Sequence, residues 1–231
     1  MQIGNGEYLI ISTCIKGPYQ SSNIIRLIQE IKAMDATIGC LNVLNVNPKM
    51  VNYNLVWEGI EGFSTPFSND LLNQFVLSSL EISFNNDIPA RLQVMFLDEL
   101  SYEVSLIFNY SQLFEEKNNI QERREYLEFI EKIAIVCFDI LHPLYGTYGV
   151  ERSVEGLRYL IDNAPGLPCD KVFYNKILIN KSVTLLGLIN NANYSIENGV
   201  GVYFRNTELD NFQLVENEEH KVRLNELIES L

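Results

Sequence analysis

Apolar and polar positions alternate along this chain with two different periods, and each change of period marks a boundary between strand and helix. Tyr8 to Ile15 is an unbroken β-favouring run that stops at Gly17-Pro18, and it reads as a buried strand. Behind Ser21 and Ser22, either of which suits an N-cap, Ile24, Leu27, Ile28, Ile31 and Met34 recur at helical spacing. Cys40 to Val46 predicts a second strand, stopped by Asn47-Pro48. Tyr53, Leu55 and Trp57 then alternate with Asn52, Asn54 and Glu58, the pattern of a half-buried strand. Gly59 to Pro66 reads as a loop, and Asp70 to Ile82 as a helix with Leu71, Leu72, Phe75, Val76 and Ser79 on one side.

Leu92 to Leu97 and Glu103 to Tyr110 predict a hairpin across Asp98-Glu99-Leu100-Ser101. From Glu115 the chain is charged as far as Glu128 and then apolar from Ile130 to Leu141. Leu127, Ile130, Ala134, Cys137, Phe138 and Leu141 lie three and four residues apart, so the segment reads as one long helix, solvated early, buried late and ended by Pro143. A short strand (Thr147 to Glu151), a helix (Ser153 to Asp162), a strand (Val172 to Asn180) and a short helix (Ser182 to Asn190) follow. Asn198-Gly199, between Tyr194 to Glu197 and Val200 to Phe204, predicts a type I′ hairpin with positive φ at both central residues. A last helix, Glu216 to Leu231, places Leu224, Leu227, Ile228 and Leu231 on one face.

Strands and helices interleave, but two hairpins interrupt the alternation. The pattern predicts an α+β fold, with a mixed, largely antiparallel sheet and helices packed on it. No linker, low-complexity tract or repeat divides the chain. Residues 1–231 read as a single compact unit, with a weak subdivision near residue 112 as the alternative.

A 47% hydrophobic chain of 231 residues has ample apolar surface for a core, burying roughly 70% of the unfolded chain's surface. The longest apolar stretch, Ile133 to Leu141, is short for a membrane span and contains Asp139. Met1 to Glu7 lacks a basic region, so the expected location is cytoplasmic. Cys14, Cys40 and Cys137 sit in apolar runs and read as reduced core residues. Cys169, in Leu167-Pro168-Cys169-Asp170, reads as the most accessible thiol. No Cys or His spacing matches a metal site, and no cofactor is expected.

Charge changes the picture more than size does. Seventeen Lys and Arg stand against 30 Asp and Glu, a net charge of −13. Such a field disfavours nucleic acid and anionic membranes and favours basic protein partners, although solubility alone explains many acidic proteins. The candidate contact surfaces are Glu115, Glu116, Glu122, Glu125 and Glu128 on the long helix, and Glu216, Glu218 and Glu219 near the C-terminus.

Candidate chemistry is confined to one segment, because His220 lies among the charged residues Glu218, Glu219, Lys221 and Arg223. From His142 to Glu151 the chain brings together an imidazole, Tyr145, Tyr148 and a carboxylate, with Gly146 and Gly149 between them. One reading is a pocket in which His142 or Glu151 handles a proton while the tyrosines position a ligand. The other is a helix stop, a turn and a strand whose tyrosines pack at a sheet edge, and the lack of a nucleophile with an associated base favours it. No dinucleotide, phosphate-loop, His-Glu-x-x-His or Gly-x-Ser-x-Gly pattern is present.

Tyr145-Gly146-Thr147-Tyr148-Gly149-Val150-Glu151 followed by a helix, then Gly201-Val202-Tyr203-Phe204, in a compact acidic α+β chain, resembles the immunity proteins that neutralise bacterial toxins. The resemblance implies a non-enzymatic binder whose acidic surface meets a basic toxin, with aromatic anchors at hot spots, and it assigns no residue; Tyr145 and Tyr148 are the aromatic binding candidates from the residues themselves. Two other classes fit the composition: an assembly or scaffold protein forming homo-oligomers, and an enzyme of unfamiliar type using His142 to Glu151.

Overall fold

The structure, a computed structural model, describes residues 8–48, 60–84, 88–98, 101–110, 120–150, 154, 171–176, 194–197 and 199–205. In chain order these form β1 (Tyr8–Lys16), α1 (Ser21–Ala33), β2 (Ala36–Leu44), β3 (Gly62–Pro66), α2 (Asn69–Gln74), β4 (Val76–Phe84), β5 (Ile88–Phe96) and β6 (Ser101–Asn109). After them come α3 (Ile120–Leu141), β7 (Tyr145–Val150), β8 (Lys171–Asn175), β9 (Tyr194–Glu197) and β10 (Gly201–Arg205). The strand expected at 52–58 and the helices expected at 153–162, 182–190 and 216–231 lie outside the described residues.

The described strands form one sheet in the order β3-β2-β4-β5-β6-β1-β7-β8-β10-β9. Every described pairing is antiparallel, so the fold is α+β and dominated by its sheet. The sheet is continuous across residue 112, because β1 pairs with β6 on one side and β7 on the other.

Strand alternation gives the sheet two unlike faces. One carries Leu9 and Ile11 of β1, Leu92 and Val94 of β5, and Val104, Leu106 and Phe108 of β6, all buried. α3 lies on this face. Phe129 meets Phe84 edge-on at 5.6 Å between ring centroids, and Phe138 stacks on Phe173 at 4.8 Å. α1 packs beside α3 and buries Ile24, Leu27, Ile28 and Ile31. Gly146 permits the close approach of α3, since a Cβ there would strike the Phe138 ring and lie 2.8 Å from the Ser12 carbonyl oxygen.

Several boundaries differ from the expectations. The helix expected over Asp70 to Ile82 is a short helix followed by a central strand. A register shift puts an extra residue between Leu77 and Leu80, so both face the core three residues apart, and that spacing imitates a helical period. The Gly59 to Pro66 loop contains strand β3. Cys40 is exposed, not core: β2 spends three residues between Ile38 and Leu41 while β4 spends two, and this bulge turns Cys40 outward. Gln20, not Ser21 or Ser22, occupies the N-cap of α1. The last hairpin forms, but Glu197 pairs with Val202, and Gly199 lies outside the left-handed region that a type I′ turn requires. Pro143 follows α3 as expected, with His142 at φ 48° ending the helix.

Candidate functional site

On α3, Glu122, Glu125 and Glu128 are exposed, as a contact surface requires. They do not stand alone. Arg123, Arg124 and Lys132 share the exposed surface of the helix, and Arg124 Nε lies 3.8 Å from Glu128 Oε1. The surface is mixed in sign rather than an acidic stripe. Glu115, Glu116, Glu216, Glu218 and Glu219 lie outside the described residues.

The His142 to Glu151 segment is taken apart by the sheet. Tyr145 pairs with Cys14 and Tyr148 with Ile11, and a separation of three positions, an odd number, sends the two side chains to opposite faces. Both are buried, whereas His142 is exposed at the end of α3. β7 is an inner strand, flanked by β1 and β8, so the tyrosines do not pack at a sheet edge. Glu151 lies outside the described residues. The structure therefore brings no two of His142, Tyr145 and Tyr148 to a common cleft.

Two buried polar clusters were not legible in the sequence. On the helical face, Glu131 of α3 accepts the Tyr203 O–H at 2.7 Å and pairs with Arg205 Nε at 3.3 Å. The guanidinium lies over the Tyr194 ring, 4.3 Å from its centroid. Burial first, and then the Glu131 charge, push the Tyr148 and Tyr203 hydroxyls well above their usual range. Both stay protonated rather than acting as bases, and Tyr203 serves as the donor to Glu131.

On the opposite face, buried Ser12 donates to Glu103 and accepts the Val154 N–H at 2.8 Å. With that oxygen engaged twice and away from solvent, Ser12 is built as a link between strands and not as a nucleophile. Burial likewise pushes the Cys14 thiol up, and Cys137 to about 12, which removes the thiolate character that reactivity needs. Among the described residues no group of three or more His, Cys, Asp or Glu side chains comes together to hold a metal. No described helix is long and apolar enough to cross a membrane.

No family model, no curated protein and no solved structure matches this chain.

Proposed function

We propose that this chain is a cytoplasmic, non-enzymatic binding protein of the immunity type, which meets a basic protein toxin through a carboxylate-rich surface. The carrying observation is where the charge sits. The described residues hold thirteen acids and ten bases, nearly balanced. The remaining seventeen acids and seven bases lie elsewhere, and residues 206–231 alone hold seven acids against two bases. A segment with that excess of one sign, beside described residues whose charges nearly balance, supports steering of an oppositely charged partner. Of the two candidate clusters, Glu216, Glu218 and Glu219 therefore carry the proposal further than Glu122, Glu125 and Glu128, whose field the neighbouring arginines cancel in part. Tyr145 and Tyr148 are buried and drop out as anchors.

The test begins with the full chain as bait in an extract of its source organism at low salt. Association and dissociation rates with any basic protein recovered are then measured for two triple variants. Glu216→Lys, Glu218→Lys and Glu219→Lys together are expected to slow association by about tenfold or more at low salt, with little change in dissociation. The matching reversal at Glu122, Glu125 and Glu128 is expected to do less. Association rates unchanged in both variants rule out steering, and recovery of the chain alone or of copies of itself assigns it to an assembly role.

A further inference from the structure

β3 is the outermost described strand at one end of the sheet, and its outer edge is unlike the edge at the other end. Its residues, Gly62-Phe63-Ser64-Thr65-Pro66, carry no charge, and all but Thr65 are exposed. Soluble proteins guard an open edge with charged side chains, proline or a bulge. β9, the outermost described strand at the far end, carries Glu197, which Lys176 holds at 2.6 Å. On β3 the guard is Pro66 alone. The Asn45 N–H donates to the Glu61 carbonyl at 2.7 Å, which makes these two a hydrogen-bonded pair at the start of the β2–β3 ladder. Alternation from there turns the backbone groups of Phe63 and Thr65 toward β2, and those of Gly62, Ser64 and Pro66 outward. No described residue takes up the outward groups of Gly62 and Ser64. Pro66 stands at an outward position, so its missing N–H takes nothing from the ladder with β2. Phe63 is 41% exposed, although its ring meets Phe75 edge-on at 5.2 Å between centroids.

We propose that β3 pairs antiparallel with β3 of a second copy of this chain, about a two-fold axis between the two Ser64 residues. The outward groups suit that register. Each Ser64 N–H meets the carbonyl of the other Ser64, and each Gly62 N–H meets a Pro66 carbonyl. The Gly62 carbonyl is left over, opposite the proline nitrogen, at the rim. On the helical face each Phe63 lies across from Thr65 of the other copy and diagonal to its Phe63, within reach of an aromatic ring. Charge favours the same register. One position beyond the paired residues, Glu61 falls across from Phe67 of the other copy, and Lys32 already rests over that ring, its Nζ 4.4 Å from the centroid. Glu61 and Lys32 are both exposed, and neither has an ion-pair partner among the described residues. A chain of net charge −13 repels its own copies across much of its surface. An uncharged edge, flanked by charges that complement each other across the axis, is where two copies meet at least cost. The contact uses neither glutamate cluster, so it stands or falls apart from the toxin-binding reading.

Sedimentation of the full chain over a concentration series reads the dimer dissociation constant. Ser64→Pro removes the central outward N–H from each copy and no bond to β2, and it is expected to weaken the dimer by at least about tenfold. Glu61→Lys and Lys32→Glu each set like charges across the axis. Either alone is expected to weaken the dimer by about fivefold at low salt, and the two together to recover most of that loss. A monomeric mass up to about 1 mM overturns the proposal, whether the edge then stays open or takes a strand of another protein. So does a dimer indifferent to Ser64→Pro, or a double charge variant no tighter than the weaker single one. If Ser64→Pro lowers the thermal midpoint of the monomer, the charge exchange between Glu61 and Lys32 decides.

Discussion

Tyr203 donates its phenolic O–H to Glu131 across 2.7 Å, and this bond ties a strand near one end of the described sheet to the middle of α3. The same carboxylate oxygen sits 3.3 Å from Arg205 Nε, with side chains only 8% and 14% exposed. A charge pair this deep adds little over a well-packed apolar pair, yet it is costly to break from one side.

Glu131→Leu is therefore expected to destabilise the protein by about 3–5 kcal/mol, because Arg205 is left buried without its counter-charge. Tyr203→Phe removes one donor and keeps the Phe138 stack, and its expected cost is about 1–3 kcal/mol. Urea denaturation of both variants and of the double variant measures the coupling. Additive losses would show that the two contacts act independently and that the cluster is not a unit.

Stability is expected to fall on the alkaline side. Burial raises Cys14, Cys137 and Tyr19, the last two to about 12, and burial followed by Glu131 raises Tyr148 and Tyr203. Groups raised in the folded state contribute fully below their unfolded values and lose that contribution as pH climbs toward the folded ones. The unfolded thiols begin to ionise near their ordinary value of 9.0 and the tyrosines near 10.0, while the folded groups keep their protons. The unfolded state then binds fewer protons, so stability declines by about 1.4 kcal/mol per pH unit for each participating group. The urea midpoint is expected to be level from pH 7 to about 8.5 and to drop steadily above 9. A midpoint still level at pH 10.5 would contradict these shifts.

Where the period of apolar residues is unbroken, the elements were legible: β1, α1, β5, β6 and α3 all fall where alternation or helical spacing puts them. Legibility failed at bulges. The extra residue between Leu77 and Leu80 made a central strand look helical, and the one between Ile38 and Leu41 hid the exposure of Cys40. A bulge is a property of a pair of strands, so a single strand's sequence does not announce it. The site was less legible still. Glu131, Tyr203 and Arg205 are brought together by tertiary packing over more than seventy residues of chain. The tyrosines that stood out for their closeness in sequence, Tyr145 and Tyr148, are divided between two faces by strand alternation.

Two glycines separate the expected last turn from the observed one. Gly199 lies outside the left-handed region and has nothing within 4 Å of a built Cβ. Gly199→Ala is thus expected to be neutral or to stabilise by up to about 1 kcal/mol, through the unfolded chain. A type I′ turn would instead be destabilised. Gly201→Ala is the contrast, since its Cβ would strike the Tyr174 carbonyl oxygen and lie 2.5 Å from Phe173 Cζ. A loss of about 1–3 kcal/mol is expected there. Thermal midpoints of the two single variants, taken side by side, decide between the turn types.

The thiols offer a direct reading of the bulge in β2. Cys40 is exposed, whereas Cys14 and Cys137 are buried and raised in pKa by that burial. Reaction with an aromatic disulfide reagent requires a thiolate that solvent can reach. In a Cys169→Ser background at pH 8, one thiol is expected to react quickly in the folded protein, and the other two only as fast as the chain opens. Adding Cys40→Ser should abolish the fast phase, and urea should restore two equivalents. If Cys40 proves slow in the folded protein, β2 runs straight past Ile38, with Cys40 turned into the core as an unbroken alternation would place it.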